Sequence, residues 1–510
     1  SSPRDEAAIG YFSVAPPGVS GGFPMRSAAG ALLGIALASH VALALNVARP
    51  GRRSLREHSK AARPKTNLIY VLADDLGYGE LGCYGQKIIK TPYLDRMAAE
   101  GMRFTDHHSG SPICSPSRCS LMTGKHAGHA SMINNHEVDR RHYPMAEKGA
   151  TGQKPLKPGE VTIAHLAKRS GYRTGAVGKW GLGGRNSTGD PNRMGFDHFF
   201  GFYDQRDAHH YYTDWLWRNG KPVELKDNPR LHKWYSHDLI YAESERFIKE
   251  SRARPFFLYM APTIPHAEMV VPDDELFRSY DGINETEPWG DNAPYQAKRI
   301  SWGLYNYAAK PHQTQAAMIS RLDRDMGRMM DLLRELGIHE HTLVMFSSDN
   351  GASDEGGADP AFFHSSGGLN GMKHSSHEGG IRVPMIAWQP SKIKAGITSN
   401  YISAFWDVMP TAAELFGTQC PSDSDGISML PTLYGTGHQK EHEYLYWKSC
   451  GQRAVRKGRW KLVTAAAGGE ELYDLETDPG ESHRVQKDHP EILEDLMAVV
   501  REFENHTDLE

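Results

Sequence analysis

Acidic and amide side chains follow two apolar runs of the sequence, at the point where each run ends. Asp74 and Asp75 close the run TNLIYVLADD (66–75), and Asp349 and Asn350 lie near the end of TLVMFSSDNG (342–351). If both runs are strands of one sheet, the four side chains converge, and their oxygens are ligands that Ca²⁺ or Mg²⁺ prefers. Taken singly, each pair is more typical of a loop start, because Asp and Asn favour turns. Two pairs at equivalent strand ends favour a metal site.

Two lysines and one histidine are candidates for handling an anion. Lys179 lies in VGKWGLGG and Lys373 in LNGMKHSSHEGGIRVP, where neighbouring glycines let the backbone approach a ligand closely. A lysine ammonium there can bind a small oxyanion, although most lysines are simply solvated at the surface. His266 follows APTIP, where a general acid could reach a substrate. With 26 histidines in the chain, position alone does not select it.

The stretch SPICSPSRCSLMTG (111–124) holds two of the five cysteines of the chain, Cys114 and Cys119. Their spacing of five does not fit a Cys-x-x-Cys metal or redox pair. A turn rich in Ser and Pro that happens to hold two thiols is the alternative. The stretch alone leaves its function open.

Apolar strands alternate with amphipathic helices along most of the chain. The runs at 66–75, 172–180, 254–266 and 342–351 predict strands. Helices are predicted in the run 93–104, with Gly101 as the C-cap, and over 161–170 and 315–337. This alternation predicts an α/β fold with a mostly parallel sheet flanked by helices. Ligands of such folds bind at the carboxyl ends of the strands, where the candidate residues lie.

The pattern of apolar and polar residues changes near residue 425. Short alternating segments such as RAVRKGRWKLVT and ELYDLETDPGE predict antiparallel strands, and HPEILEDLMAVVREFENH predicts a closing helix. We therefore expect a large α/β domain over 66–424 and a small C-terminal α+β subdomain over 425–510.

Charge and the N-terminal segment bear on partners and location. The formal net charge of −4 disfavours nucleic acid as a partner. Residues of about 25–44 resemble a secretory signal peptide, with Arg26, an apolar run and small residues at a cleavage site. Ser39 and His40 interrupt the run, so no stable membrane span is expected. These features predict a periplasmic or secreted protein in which 1–65 comprises an upstream segment, the signal peptide and a linker. Residues 1–24 precede Met25, the first residue of the predicted signal peptide.

At this point the motifs resemble a known family. CSPSR…LMTG matches the Cys-x-Pro-Ser-Arg…Leu-x-Thr-Gly motif of type I sulfatases, and GYRTGAVGKWGLG resembles their second motif. The order of motifs follows that family from residue 66 to about 420. STGDPNRMGFDHFFGF and GADPAFF are similar to bacterial members called arylsulfatase A-like, including polysaccharide sulfatases. The resemblance implies an alkaline-phosphatase-like fold and an enzyme that hydrolyses sulfate monoesters, with 66–424 as its catalytic domain.

The resemblance also implies roles for individual residues. Cys114 would be oxidised to Cα-formylglycine by a maturation enzyme, and one hydroxyl of the hydrated aldehyde would attack sulfur while the other later expels sulfate. The family's Ca²⁺ ligands match Asp74, Asp75, Asp349, Asn350 and residue 114. Arg118 matches the arginine that stabilises the hydrate, Lys179 and Lys373 match the sulfate-binding lysines, and His266 matches the histidine at the leaving group.

One position departs from the family. Many members read Gly-Lys-Trp-His, and here Gly181 stands in place of the histidine that contacts the formylglycine. We hypothesise that His209, or else His210, in DQRDAHHYYTDWLWRNG (204–220) supplies the missing contact, although a packed polar loop is the alternative. Tyr211, Tyr212 and Trp215 are candidates for a sugar subsite, and further histidines flank the cysteine motif, namely His107, His126 and His129.

The substrate predicted from the resemblance and from the aromatic loop is a carbohydrate sulfate or a smaller sulfated molecule. One alternative is a phosphoesterase or phosphonate hydrolase built on the same fold. A second alternative is a non-catalytic protein that binds sulfated glycans, which Gly181 makes conceivable. The intact set of Cys114, Arg118, Lys179, His266 and Lys373 argues against that second alternative.

Overall fold

A computed structural model of the chain describes residues 65–136, 153–290, 292, 305–465 and 468–504. The predicted signal peptide and linker lie outside these residues. Within the described part, no helix is both long and apolar enough to cross a bilayer.

The described residues form sixteen strands and eleven α-helices. The strands are β1 (Asn67–Ala73), β2 (Met102–Phe104), β3 (His107–His108), β4 (Arg173–Lys179), β5 (His198–Phe202), β6 (Trp215–Arg218), β7 (Lys221–Glu224), β8 (Phe256–Ala261), β9 (Thr342–Ser348), β10 (Met385–Trp388), β11 (Ile397–Ser399), β12 (Ser403–Ala404), β13 (Leu445–Ser449), β14 (Gln452–Lys457), β15 (Trp460–Ala465) and β16 (Glu470–Asp474). The helices are α1 (Pro92–Glu100), α2 (Cys114–Thr123), α3 (Ile163–Arg169), α4 (Asn228–Leu231), α5 (Ser236–Ser251), α6 (Glu275–Arg278), α7 (Pro311–Glu335), α8 (Glu378–Ile381), α9 (Val408–Phe416), α10 (Leu430–Tyr434) and α11 (Pro490–Glu504).

A ten-stranded sheet runs in the order β11-β2-β10-β9-β1-β8-β4-β5-β6-β7. Its five central strands, β9 to β5, are parallel to one another, whereas β10, β6 and β7 pair antiparallel with their neighbours. The parallel centre matches the near-continuous apolar runs in the sequence, because a parallel sheet is covered on both faces. The mostly parallel α/β fold predicted from the sequence is confirmed.

Strand β1 shows how the two faces are covered. Ile69 and Val71 pack in a cluster with α1, α5 and α7 on one face. Leu68, Tyr70 and Leu72 pack in a second cluster with α3 and α9 on the other face. Every residue of β1 is buried, so the strand that leads to Asp74 is fixed from both sides.

The C-terminal part forms a separate four-stranded antiparallel sheet in the order β13-β14-β15-β16, against which α11 packs. A buried ion pair joins this sheet to α8, because Lys461 Nζ lies 2.8 Å from Glu378 Oε1. The predicted C-terminal antiparallel strands and closing helix are confirmed. The boundary at residue 425 stays a prediction.

Candidate active site

The sheet order brings the two acidic strand ends side by side. In the parallel pair β1–β9, Ala73 lies opposite Ser348, so the residues that follow each strand are neighbours. The backbone N–H of Asp75 donates to Oδ1 of Asp349 at 3.2 Å. Asp74, Asp75, Asp349 and Asn350 are all buried. The four side chains singled out in the sequence therefore converge at one point of the carboxyl edge.

Two cations compensate part of this buried negative charge. Arg118 donates from Nη2 to Oδ2 of Asp349 at 2.7 Å and to Oδ1 of Asp74 at 3.1 Å. Lys179 at the end of β4 donates to Oδ2 of Asp74 at 2.7 Å. Burial alone would raise the pKa of Asp74, but Lys179 and Arg118 outweigh it and hold that pKa well below its usual value. Burial raises the pKa of Asp349 to about 7, even with Arg118 beside it.

The donor set fits a hard divalent cation. Asn350 donates from Nδ2 to Oδ1 of Asp75 at 2.7 Å, while its own Oδ1 is buried and has no hydrogen-bond partner among the described residues. A buried carbonyl oxygen without a partner is costly, and three neighbouring carboxylates repel one another. All of these donors are oxygens, the ligand type of Ca²⁺ and Mg²⁺. Asp74, Asp75, Asp349 and Asn350 could hold such an ion.

Cys114 is the first residue of α2 and lies against this cluster. Its Sγ lies within 4.8 Å of carboxylate oxygens of Asp74, Asp75 and Asp349 and of a ring nitrogen of His266. Burial raises the pKa of the Cys114 thiol far above its usual value. Because the thiolate is the nucleophilic form of cysteine, the unmodified side chain is a poor nucleophile here at neutral pH.

His266 and Lys373 form the opposite side of the cluster. Lys373 Nζ lies 2.9 Å from Oδ2 of Asp75, 2.9 Å from Nε2 of His266 and 3.1 Å from Oε2 of Glu355. The hydroxyl of Tyr211 donates to the backbone carbonyl of His266 and fixes the loop that bears this ring. Burial lowers the pKa of His266 although Asp75 opposes the shift. A buried imidazole, whose Nε2 can accept from the Lys373 ammonium, and that ammonium thus face the same place as Cys114.

A cavity opens over Cys114, His266 and Lys373. The further described residues that line it are Asn135, Gln153, Gln205, Arg206, His209, Tyr305, Glu355 and His374. Of these, only His209 is among the residues selected from the sequence. Gln205 lies within the candidate stretch 204–220 and Glu355 shortly after SDNG, but neither residue belongs to a motif.

The structure separates the members of the aromatic loop. His209 lines the cavity, whereas His210 is buried with Nδ1 3.6 Å from Oε2 of Glu268. Tyr211 and Tyr212 are buried in the core, and Trp215 lies on β6, half-buried against the second cluster. The three aromatic candidates for a sugar subsite are not among the described residues that line the cavity.

The other flanking histidines also lie elsewhere. The Nδ1 atom of His107 is 2.8 Å from Oγ of Ser403. The rings of His126 and His129 stack on each other beside Asp425, with centroids 4.9 Å apart. None of these three histidines is among the described residues that line the cavity.

Comparisons with known proteins identify the family of this chain. A family model described as Sulfatase matches residues 66–418, which is more than half of the chain. The chain belongs to the sulfatase family. A second model, described as N-sulphoglucosamine sulphohydrolase, C-terminal, matches residues 372–506 of this sulfatase. The family prediction made from the cysteine motif is confirmed, and so is the prediction of an enzyme: the protein is a sulfuric ester hydrolase.

Individual relatives agree over most of the length. Arylsulfatase A of Homo sapiens is 31% identical over 497 residues, which cover 85% of this sulfatase and 87% of the relative. N-acetylgalactosamine-6-sulfatase of Rattus norvegicus is 32% identical over 453 residues, which cover 84% of this sulfatase and 78% of the relative. The crystal structure of Ps i-CgsB in complex with k-i-k-neocarrahexaose superimposes with a TM-score of 0.70 at 27% identity, covering 88% of this chain and 94% of that one. The expected alkaline-phosphatase-like fold is confirmed.

Proposed function

We propose that this sulfatase hydrolyses sulfate monoesters of carbohydrates, with residue 114 in the formylglycine form and Ca²⁺ bound by Asp74, Asp75, Asp349 and Asn350. The observation behind the proposal is the position of Cys114. Its Sγ is within 4.8 Å of the acidic cluster and of His266, at the base of a cavity that Lys373 also lines. Nucleophile, leaving-group histidine and anion-binding lysine therefore face one volume.

The raised pKa of the Cys114 thiol supports conversion of this residue. Burial disfavours the thiolate, so the cysteine would be inert unless it is changed chemically. A hydrated aldehyde at residue 114 would supply a hydroxyl nucleophile. The sequence CSPSR around it is the feature that a formylglycine-generating maturation enzyme would recognise. That enzyme is the proposed partner in maturation.

The metal and the cations would compensate the charge of the sulfate group. Calcium bound by the four oxygen side chains would supply a fixed positive charge next to residue 114. Lys179 and Lys373 are buried and already salt-bridged to Asp74 and Asp75, so their ammonium groups are held in place before substrate binds. Such preorganised charge stabilises a transition state without reorganisation cost.

His266 is proposed to protonate the leaving alcohol. Its Nε2 lies 2.9 Å from Lys373 Nζ and 3.3 Å from Oδ2 of Asp75, on the cavity side of the cluster. The alkoxide of a sugar is a poor leaving group, so a proton delivered there lowers the barrier. Arg118 is proposed to hold the carboxylates of Asp74 and Asp349 in place through its buried guanidinium.

A carbohydrate substrate is supported by the names of the relatives. One similar protein is an N-acetylgalactosamine-6-sulfatase, and one similar structure holds a neocarrahexaose. The cavity of this sulfatase is lined mainly by polar side chains, including Asn135 and Gln153, which can bond to sugar hydroxyls. The resemblance of residues 25–44 to a signal peptide supports a periplasmic or secreted location, where sulfated polysaccharides are encountered.

A desulfation screen tests this function. The enzyme, produced with a formylglycine-generating enzyme, is incubated with defined sulfated saccharides and with matched sulfate and phosphate esters of one aryl alcohol. We expect sulfate release from at least one saccharide and preference for the sulfate ester. The C114A variant should be inactive, whereas C119S, a change at the second buried cysteine of the same helix, should retain activity. Preference for the phosphate ester, or full activity of C114A, would contradict the proposal.

A further inference from the structure

Gly181 and Gln205 share one small space beside the nucleophile. The glycine has a φ of +73°, in the left-handed region that disfavours other residues. A Cβ placed on it would lie 3.1 Å from Cγ of Gln205 and 3.5 Å from both Cδ and Nε2 of that side chain. The volume that a side chain at position 181 would enter is therefore filled by the side chain of Gln205.

Position 181 cannot move away from Gln205. Its N–H donates to the carbonyl of Tyr203 at 3.1 Å, just as Trp180 donates to Phe202 at 3.0 Å. These bonds continue the pairing of β4 with β5 past the end of β4, as far as Gly181 and Tyr203. Gln205 follows Tyr203 by two residues, and its side chain lies over Gly181.

The carboxamide of Gln205 also holds the first turn of α2. Its Nε2 donates to Oγ of Ser115 and to Oδ1 of Asn135, the latter at 3.3 Å. Ser115 donates in turn from Oγ to the carbonyl of Gly181 at 2.9 Å, and from its N–H to Oδ1 of Asn135 at 2.9 Å. These bonds close a ring around the residue that follows Cys114. Gln205 and Asn135 line the cavity together with Cys114.

We propose that Gln205 is the positioning residue for the nucleophile of this sulfatase, in the space that the glycine at 181 leaves open. This inference rests on the proposed role of residue 114. Because a carboxamide does not titrate, Gln205 can orient residue 114 through Ser115 but cannot take up a proton. The two positions form a pair: a glycine at 181 is needed while a glutamine occupies 205.

The test is a double-mutant cycle on the matured full-length enzyme, with kcat and KM measured on one sulfate ester. We expect Q205A to lower kcat by about 10- to 100-fold, since misplacement of reacting groups by about 1 Å can cost roughly 100-fold. KM should change less than kcat, because the substrate's own binding groups remain. G181H should lose activity through the clash with Gln205 and through the left-handed backbone at 181, and G181H/Q205A should recover the part of that loss that the clash causes.

Controls separate positioning from general damage. Q205E keeps the volume of the side chain but loses the Nε2 donor, so it should behave like Q205A, and G181H/Q205E should show no recovery. Q389A truncates a buried glutamine that bonds to Glu340 and Tyr434 outside the cavity, and it should lower only the melting temperature. The melting temperature and the aldehyde content of residue 114 are measured for every variant.

Two outcomes would overturn the inference while leaving the proposed function intact. One is wild-type kcat in both Q205A and Q205E with full aldehyde content. The other is strict additivity of G181H and Q205A. An inactive wild-type enzyme with full aldehyde content would instead count against the proposed function itself.

Discussion

The imidazole of His209 stacks on the imidazole of His266, with ring centroids 3.9 Å apart and 19° between the planes. The Nε2 atom of His209 is buried and has no hydrogen-bond partner among the described residues. Burial and the neighbouring His266 hold the pKa of His209 well below its usual value, so the ring is neutral. The neutral ring of His209 therefore packs on one face of His266, the proposed general acid, and restricts its orientation.

Loss of this stack is expected to slow the reaction. H209A should lower kcat roughly tenfold, because an aromatic pair is worth about 0.5–1.5 kcal/mol and His266 would gain rotational freedom. The control is H232A, which removes a ring stacked on Tyr212 outside the cavity. Equal kcat values for H209A and wild type would contradict the role. The hypothesis that His209 replaces the family's histidine at 181 stays a prediction, and Gln205 is the side chain that fills the space there.

Substitution of His266 is expected to depend on the leaving group. H266A should reduce turnover of a sugar sulfate by about 10²–10⁴-fold, the usual value of general acid help, and should reduce turnover of an activated aryl sulfate much less. A stabilised phenolate leaves without a proton, whereas a sugar alkoxide does not. Steady-state kinetics of both substrates check this. Identical losses on the two substrates would refute proton donation by His266.

Removal of the proposed Ca²⁺ is expected to destabilise the protein and to abolish its activity. Without a cation, the carboxylates of Asp74, Asp75 and Asp349 remain buried beside one another. A chelator should abolish activity and lower the melting temperature, and added Ca²⁺ should restore both, because a ligand that binds the folded state stabilises it. N350A should weaken Ca²⁺ binding measured by calorimetry. Absence of any Ca²⁺ binding to the wild-type protein would exclude this site.

Two buried histidines predict a loss of stability in mild acid. Burial lowers the pKa of His107 to about 3 and that of His126 to about 4, whereas an unfolded histidine titrates near pH 6.5. As the pH falls below about 6.5, the unfolded chain binds protons that the folded chain excludes. The free energy of unfolding should therefore fall, by up to about 1.4 kcal/mol per pH unit for each residue.

Chemical denaturation between pH 7 and pH 4.5 measures this slope. H107Q and H126Q each remove one titrating group, so each variant should show a flatter dependence than wild type, whatever its stability at pH 7. Parallel curves for the variants and the wild type would show that other groups control the acid response.

The part of the site that the sequence could predict lies at strand ends. The apolar runs predicted that Asp74 and Asp349 follow the ends of two strands. The parallel pairing of β1 with β9 brings the two residues together as expected. The cysteine motif identified the family directly. These features are local in sequence or follow from a general rule of parallel sheets.

Residues that act across long sequence distances could not be found in this way. Gln205 meets Ser115 from 90 positions away, and only the pairing of β4 with β5 decides which side chain reaches over Gly181. Glu355 contacts Lys373 from an irregular segment, and the sequence of such a segment has no periodic pattern from which its path could be predicted. Tyr211, predicted to lie in a sugar subsite, is buried instead, and its hydroxyl donates to the backbone carbonyls of Thr263 and His266. Large apolar side chains near a site are more often part of the core that supports it.

Peptide mass spectrometry across residue 114, performed on the preparation whose sulfatase activity is measured, tests the central claim most directly. Preparations matured to different extents should show activity in proportion to the fraction of residue 114 present as the aldehyde. An active preparation in which residue 114 is entirely an unmodified cysteine would contradict the proposed nucleophile.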